Sequence, residues 1–283
     1  MCQLLGLSSR LPISPEFSLK GFWQRGGNTG EHRDGWGVAL IEGPTVTVRS
    51  HVAAAHDCEL AHGLLAEKLR AETVVAHIRK ATFGDVKAEN THPFVRQFWG
   101  ERLVFAHNGD LHDFHPELGA PFLPLGDTDS ERAFCLLLQI LSQRFGGTRP
   151  GLDALTGCVA EVATAIRRFG SFNFLLTVAE TLIVHCSTEL YWTQRKPPFS
   201  RVELVDCDLA VDFATTNRSE DLLQIIATKP LTRGEPWHPM GPGEIRVIRA
   251  GQTLLEYAPL RQPPKLDGAV WASAITSGQF AFN

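Results

Sequence analysis

Two adjacent helical patterns in the middle of a strand-rich chain constrain the fold most strongly. The first, over residues 128–145, opens with Thr128 and Glu131 at the spacing of a capping box. The second, over 151–169, carries its apolar residues on one face. Short runs typical of strands lie on both sides of this pair, at 2–8, 36–41, 45–52, 73–78, 102–106, 172–178, 181–186, 189–193, 209–215, 244–249 and 253–257. This order predicts a layered α+β domain with largely antiparallel sheets.

The remaining segments predict the domain organisation. Shorter helices are expected at 17–23, 57–70 and 219–226, and the proline-rich stretch 228–243 is expected to be one long ordered loop. No linker, repeat or low-complexity tract divides the chain. Residues 2–283 are therefore predicted to form a single domain, in which 261–283 have no readable pattern.

The composition excludes several classes of protein. The chain is 43% hydrophobic and carries a net charge of −4, so no basic balance favours nucleic acid or a membrane surface. Its apolar runs are too short to cross a bilayer. Six cysteines are scattered without close pairs, and no signal peptide is apparent. These features predict reduced thiols and a cytoplasmic location.

Cys2 is the first candidate for chemistry. Removal of Met1 tolerates a small second residue, and the mature chain would then begin with a thiol beside its own α-amine. An α-amine titrates near pH ~7.7–8.0 and a free thiol near ~8.5, so one residue would hold both a nucleophile and a base. The alternative is that Cys2 merely begins a first strand.

A glycine-rich stretch follows at 24–37 and includes Arg25 and Gly26. Five glycines in fourteen residues exclude a regular element and permit positive φ and close approach to a ligand. The stretch is either a ligand-approaching loop or a solvated hairpin loop, and its composition favours neither.

An amide hydrolase acting through Cys2 also needs oxyanion donors, a cation for a substrate carboxylate and an anion for a substrate amine. Asn108 and Gly109 follow a strand and offer a side-chain amide and a backbone N–H, Arg79 ends another strand, and Asp129 begins a helix. Each has a structural alternative, since Asn-Gly commonly forms a hairpin turn and a carboxylate suits a first helical turn. Together they suit an α-amino acid with a side-chain amide.

At this point the chain resembles a known family, the class II glutamine amidotransferases of the N-terminal-nucleophile hydrolase superfamily. The motifs occur in the family's order, at Met1-Cys2 with Gly6, Arg25-Gly26, Asp34-Gly35-Trp36-Gly37, Ala76-His77-Ile78-Arg79 with Ala81-Thr82, His107-Asn108-Gly109 and Thr128-Asp129-Ser130-Glu131. Two later motifs, Phe172-Asn173-Phe174-Leu175-Leu176 and Ala227-Thr228-Lys229-Pro230-Leu231-Thr232, are similar to the stand-alone, YafJ-type branch.

The resemblance implies a four-layer αββα sandwich of two antiparallel sheets and hydrolysis of glutamine through a thioester on Cys2. It implies that Arg79 and Asp129 hold the substrate α-carboxylate and α-amine, and that Asn108 and Gly109 form the oxyanion hole.

It also implies that Arg25 and Gly26 lie on a loop covering the pocket, and it places Thr82 with the substrate-binding residues. Lys80 and Phe83 replace a tryptophan and a histidine common in the family, which leaves the exact substrate open.

Three functional alternatives remain. No part of the chain is left for a synthase domain, so either a separate acceptor enzyme receives the ammonia or the protein hydrolyses a γ-glutamyl amide. The third is a catalytically idle γ-glutamyl-binding sensor or regulatory subunit. His107, His112 and His115 have a spacing that could suit zinc, but no motif accompanies them, so neither metal nor cofactor is expected.

Overall fold

The computed structural model describes residues 2–82 and 84–258, and within them two large antiparallel sheets form the centre of the fold. The first sheet has seven strands in the order β14-β9-β12-β1-β4-β2-β3. Its strands are β1 (Gln3–Ile13), β2 (Trp36–Glu42), β3 (Thr45–His51), β4 (Ala71–Ile78), β9 (Tyr191–Arg195), β12 (Leu223–Ala227) and β14 (His238–Pro239).

The second sheet has six strands in the order β16-β15-β8-β7-β6-β5. They are β5 (Phe94–Phe98), β6 (Glu101–Asn108), β7 (Asn173–Val178), β8 (Thr181–His185), β15 (Ile245–Arg249) and β16 (Gln252–Tyr257). A small third sheet joins β10 (Arg201–Leu204), β11 (Ala210–Asp212) and β13 (Thr232–Arg233). Of these only β11 lies in a predicted strand, at 209–215, and that prediction is wrong from Phe213 onward, where the chain is helical.

Helices cover the outer faces of both large sheets. The described residues form α1 (Glu16–Gln24), α2 (Glu59–Ala66), α3 (Asp129–Phe145), α4 (Leu152–Ile166) and α5 (Phe213–Thr216), with a 3₁₀ turn at Ala88–Asn90. Helices α1 and α2 pack on the first sheet, and α3 and α4 pack on the second.

Strand β1 shows why the layers form. Its side chains alternate between the two faces of the sheet. Leu5 and Leu7 join the core under α1 and α2, whereas Leu4 joins a separate core between the two sheets. On the outer face of the second sheet, Phe105 stacks on Phe134 of α3 at 4.8 Å. The predicted αββα sandwich is therefore confirmed.

One predicted helix is wrong. Residues 219–226 were expected to be helical, but Leu223–Ala227 form strand β12, which pairs with β1 inside the first sheet. A short apolar run such as Leu222-Leu223-Gln224-Ile225-Ile226 suits a buried strand as well as a helix, because periodicity does not separate the two at that length. The loop expected at 228–243 carries the two-residue strands β13 and β14.

The hairpin alternative for Asn108-Gly109 is also wrong. The β5–β6 hairpin turns at Trp99 and Gly100, whose φ angles of 54° and 75° are those of a primed turn. Asn108 instead ends β6 opposite Asn173 of β7, and the chain then leaves the sheet. The predictions for Met1, Phe83 and 261–283 lie outside the described residues.

Candidate active site

Cys2 directly precedes β1, a central strand of the first sheet. The pairing of Gln3 with Ile78 brings it next to Arg79, the residue that follows β4. Its Sγ accepts a hydrogen bond from the Lys80 N–H at 3.4 Å and lies 3.4 Å from the Lys80 carbonyl oxygen. The thiol is partly buried and is not in a disulfide.

The surroundings of Cys2 keep its thiol protonated at neutral pH. Burial raises its pKa to about 11, and the Asp110 carboxylate adds to this increase. The Lys80 N–H and the Arg79 guanidinium act in the opposite direction, but burial dominates. A thiol in this state needs a base to become a nucleophile.

Asn108 reaches the Cys2 strand through Thr228. Its Nδ2 donates to the Thr228 hydroxyl oxygen at 3.3 Å, and that oxygen also accepts the Leu4 N–H at 2.9 Å. The Thr228 N–H donates to the Leu4 carbonyl at 3.1 Å. One side chain therefore joins β6 of the second sheet to β1 of the first. The buried Asn108 Oδ1 has no hydrogen-bond partner among the described residues.

Gly109 occupies a position with no room for a side chain. A Cβ there would lie 1.8 Å from the Ser171 carbonyl oxygen and 2.7 Å from Nε2 of His107. The next residue, Asp110, fixes the turn, because its N–H donates to the Ser171 hydroxyl and its carbonyl accepts the Ser171 N–H, both at 3.1 Å. Glycine is thus required here by close approach.

Arg79 is buried at the end of β4, with 3% of its surface exposed. Its Nη1 donates to the Asp85 carbonyl at 2.9 Å and its Nη2 to the Gly84 carbonyl at 3.0 Å. The guanidinium is therefore positioned by backbone oxygens of the segment that follows it.

Asp129 is the first residue of α3 and is also buried. One carboxylate oxygen accepts the Ser130 N–H at 2.8 Å, as suits a first-turn carboxylate, and the other accepts the Leu111 N–H at 2.8 Å. The Thr128 hydroxyl caps the helix by accepting the Glu131 N–H. Asp129 is thereby tied to the segment that follows Gly109.

Asn90 connects the Arg79 segment to the start of α3. Its Nδ2 donates to the Asp85 carbonyl at 2.8 Å, and its Oδ1 accepts the Asp127 N–H at 3.0 Å. Asn90 is fully buried, so both contacts are shielded from water. The structure thus brings Arg79 and Asp129 into one connected group of loops.

The guanidinium of Arg25 is hydrogen-bonded by other groups of the protein. Its buried guanidinium donates to the Asp206 carboxylate at 2.8 Å, to the Lys229 carbonyl at 3.0 Å and to the Pro230 carbonyl at 2.6 Å. It also lies 3.4 Å from the side-chain oxygen of Gln3, next to Cys2. These contacts anchor the beginning of the glycine-rich stretch and occupy the guanidinium within the protein.

The rest of that stretch faces the Cys2 region. Gly26 packs so closely that a Cβ would lie 2.6 Å from that of Ala55. The Asp34 carboxylate accepts the Ala81 N–H at 2.7 Å, and Glu31 forms an ion pair with Lys80 at 2.5 Å. These contacts hold the stretch against the segment that contacts the Cys2 sulfur. Within it, an antiparallel bridge between Gly26 and Glu31 closes a short turn with exposed residues at its tip, so the stretch keeps features of both alternatives.

Thr82 and Asp110 meet at the exposed side of this group. The Thr82 hydroxyl donates to the Asp110 carboxylate. Sequence reasoning gave no role to Asp110 or Thr228. The position of Asp110 directly after Asn108-Gly109 was a usable signal, whereas the contact between Thr228 and Asn108 spans 120 residues.

The buried histidines near the site are neutral. Burial holds the pKa values of His77 and His92 well below the ordinary range, and it also lowers the pKa of His107. His107 lies between the Ser130 hydroxyl and the Ser171 carbonyl. Within residues 2–82 and 84–258, no three His, Cys, Asp or Glu side chains form a group that could hold a metal ion.

This fold is that of the class II glutamine amidotransferases, and the chain belongs to that family. The family model described as "Glutamine amidotransferases class-II" matches residues 1–266. The putative glutamine amidotransferase YafJ of Escherichia coli K12 is 39% identical over 255 residues, which cover 90% of this chain and 100% of the relative.

Solved structures of glutamine amidotransferases have a similar fold. The 2.0 Å crystal structure of a predicted glutamine amidotransferase from Pseudomonas aeruginosa is 35% identical, with a TM-score of 0.70 over 90% of this chain and all of that one. The glutamine phosphoribosylpyrophosphate amidotransferase of B. subtilis shares the fold alone, at 16% identity and a TM-score of 0.57, over 90% of this chain and 49% of that one. No helix in the described part of this chain has the length and apolar character needed to span a membrane.

Proposed function

We propose that the protein hydrolyses the side-chain amide of glutamine or of a γ-glutamyl amide through a thioester on Cys2. The products are glutamate and either ammonia or an amine. The Thr228 contact carries this proposal, because it brings the Asn108 amide to the strand that begins at Cys2. Membership of the family supports it.

The proposed reaction begins with removal of Met1, which makes the Cys2 α-amine available as a base. The amine takes the thiol proton as Sγ attacks the amide carbon. Because burial raises the thiol pKa to about 11, this transfer accompanies formation of the C–S bond. The Asn108 Nδ2–H and the Gly109 N–H are the proposed donors to the oxyanion.

Breakdown of the tetrahedral intermediate then releases the product amine. The C–N bond breaks, and the α-ammonium returns its proton to the leaving nitrogen. A water molecule, deprotonated by the same amine, attacks the thioester and gives the free γ-carboxylate and the Cys2 thiol. In this proposal Arg79 holds the α-carboxylate, Asp129 holds the α-amine, and Thr82 lies beside the bound substrate. Arg25 and Gly26 anchor the stretch that covers the pocket, and the Arg25 guanidinium stays bound within the protein.

The direct test measures glutamate release from glutamine and from a panel of γ-glutamyl amides, with no acceptor enzyme added. We expect turnover, together with a single covalent adduct on Cys2 after treatment with a glutamine-analogue diazo-ketone. The Cys2→Ser variant should give neither, whereas Cys207→Ser, which alters another partly buried thiol, should give both.

The raised pKa of the Cys2 thiol fits a non-catalytic sensor and a resting enzyme equally, so it favours neither. The same experiment separates the two proposals. Saturable binding of a γ-glutamyl amide without glutamate release would favour the sensor, and turnover that appears only with a second protein would favour a dedicated acceptor enzyme.

A further inference from the structure

A cavity lies at the opposite end of β1 from Cys2. It has a volume of about 610 Å³, within the range of ~300–1,000 Å³ typical of small-molecule sites. Its wall includes Leu11–Ile13, at the end of β1 opposite Cys2. Because Gln3 pairs with Ile78 and Ile13 with Ala71, seven residue steps of β4, at ~3.3 Å each, separate the two ends of β1 by roughly 23 Å. The cavity is therefore distinct from the candidate active site.

The cavity wall combines positive charge with apolar surface. Its basic side chains are Lys20, Arg70, Arg195 and Arg218, and its acidic ones are Glu16 and Asp221. Four cations face two carboxylates in the wall, and when Glu235, the carboxylate paired with Arg195, is counted as well, the net charge is +1, although the whole chain carries −4. Such a wall attracts anions.

Among these cations, Arg195 makes an ion pair and two contacts with aromatic rings. It is 7% exposed, and its Nε and Nη2 donate to the Glu235 carboxylate at 2.7 and 2.6 Å. Its guanidinium lies 4.6 Å from the ring centroid of Phe213 and 5.7 Å from that of Phe17. No acceptor for Nη1 is found in the described part of the chain, so one donor of a nearly buried guanidinium stays available at the cavity wall.

Arg70 and Arg218 add positive charge at the rim. The Arg70 guanidinium donates to the Pro12 carbonyl, whereas Arg218 contacts Asp221 only through its backbone N–H and carbonyl. Neither guanidinium has a carboxylate within ion-pair distance among residues 2–82 and 84–258. An incoming anion would therefore meet cations that no carboxylate already neutralises.

The apolar part of the wall favours an anion that carries an apolar body. Phe17 of α1 and Phe213 of α5 meet edge to face at 5.5 Å, and aliphatic side chains of Leu11, Ile13 and Val211 extend the surface. A small hydrated anion would leave this surface unused. An aromatic or aliphatic body of moderate size would cover it and bring its charged group to the arginines.

We propose that this cavity is a second ligand site, which takes an amphipathic organic anion: an apolar, preferably aromatic body with one carboxylate, sulfonate or phosphate group. The site is independent of the chemistry proposed for Cys2. Helix α1 borders it with Phe17 and Lys20 and then leads directly into Arg25, so the cavity adjoins the element that begins the glycine-rich stretch.

The test compares three probes on the folded full-length protein. 8-Anilinonaphthalene-1-sulfonate carries both the aromatic body and the anion. N-phenyl-1-naphthylamine carries the same body without the sulfonate, and inorganic sulfate carries the anion alone. We expect saturable binding of one molecule of the first probe per chain, at least tenfold weaker binding of the second, and no displacement of the first probe by millimolar sulfate.

Two charge-reversal variants test whether the probe binds in this cavity. Arg218→Glu reverses an exposed charge at the rim and should weaken binding of the sulfonate probe at least tenfold, while binding of the neutral probe stays unchanged. Arg168→Glu makes the same change at an exposed position outside the cavity wall and should have no effect. A thermal melt of each variant verifies that the probe is reporting on folded protein.

Two results would overturn the proposal. One is equal affinity for the charged and neutral probes, which would show that the arginines do not recognise an anion. The other is identical loss of affinity in Arg218→Glu and Arg168→Glu, which would locate the effect in overall charge rather than in this cavity. Alkylation of Cys2 should leave probe binding intact whether or not the proposed hydrolase activity exists.

Discussion

The two halves of the candidate active site lie on different sheets and are held in different ways. Cys2 and Arg79 belong to the first sheet, where the backbone register of β1 and β4 makes them neighbours. Asn108, Gly109 and Asp129 belong to the second sheet and its helix, where individual contacts to Ser171, Leu111 and Thr228 fix a turn. The first half should therefore tolerate side-chain changes around it, whereas the second should depend on single side chains.

The largest expected effect concerns the first half. An uncleaved tag placed before Cys2 acylates its α-amine and removes the proposed base, so turnover should fall to background while the fold is retained. The same tag at the other end of the chain is the control. Full activity in a protein whose intact mass retains the N-terminal tag would contradict the proposed use of the α-amine.

The next effect concerns the second half. Asn108→Asp replaces an oxyanion donor with a carboxylate, and the loss of one such donor typically costs ~10²–10³ in turnover, or roughly 2.7–4 kcal/mol. Substrate affinity should change less, since the ground-state carbonyl carries little charge. The measurements are kcat and KM beside a thermal melt, with Asn217→Asp, at the remote end of the first sheet, as control. An unchanged kcat in folded protein would remove Asn108 from the proposed oxyanion hole.

The two halves also differ in how much of them the sequence predicts: the site residues follow from local patterns, but the contacts that join the halves do not. Cys2, Arg79, Asn108 and Gly109 each stand at the end of a strand, and such positions are readable from local patterns. The layered α+β domain with antiparallel sheets follows from helices between two strand-rich regions, whereas its four-layer αββα order is what the family resemblance implies; the structure confirms both.

The connection between the halves is not readable in that way. Thr228 follows β12, the strand predicted as a helix, and reaches Leu4 and Asn108 across 224 and 120 residues. Arg25 likewise meets Asp206 and Pro230 only in the folded chain. Hydrogen bonds between distant segments leave no periodic signal in the sequence, so local pattern predicts the site residues but not what holds them together.

A pH effect on stability should arise where the halves meet. His77 of β4 and His92, just before β5, lie 4.2 Å apart between their ring centroids, and burial lowers both pKa values. The unfolded chain therefore binds more protons than the native one below pH ~6.5, so stability falls as pH falls through that value. Each histidine contributes up to about 1.4 kcal/mol per pH unit until its native pKa is reached.

Urea unfolding at pH 7.5, 6.5 and 5.5 measures this effect. His92→Leu should flatten the decline in the free energy of unfolding between pH 6.5 and 5.5, because one buried titrating group is gone. The exposed His112→Leu should leave the decline unchanged. Equal slopes in the two variants would show that His92 does not stay neutral in the native state.

A smaller effect is expected from Arg79→Lys, in the first half of the site. Lysine keeps the charge but lacks the planar guanidinium. It therefore cannot donate to the Gly84 and Asp85 carbonyls and to a substrate carboxylate at the same time. A hydrogen bond to a charged group is worth ~1.5–3 kcal/mol, so KM should rise by roughly 10- to 100-fold with less change in kcat. Arg102→Lys, at an arginine that donates to the Val46 carbonyl, is the control. An unchanged KM would contradict an α-carboxylate site at Arg79.

The smallest effect tests the connection itself. Thr228→Val keeps the shape of the side chain but removes the oxygen that receives both the Leu4 N–H and the Asn108 amide. Loss of a neutral hydrogen bond that orients the oxyanion donor should lower kcat by about tenfold at nearly constant KM, and Thr228→Ser should restore it. Thr193→Val is a matched control in the same sheet, since the buried Thr193 hydroxyl has no partner among the described residues. If Thr228→Val and Thr193→Val lower kcat equally, Thr228 contributes only to packing. If only Thr228→Val does so and serine rescues it, the two halves depend on this one hydroxyl for their alignment.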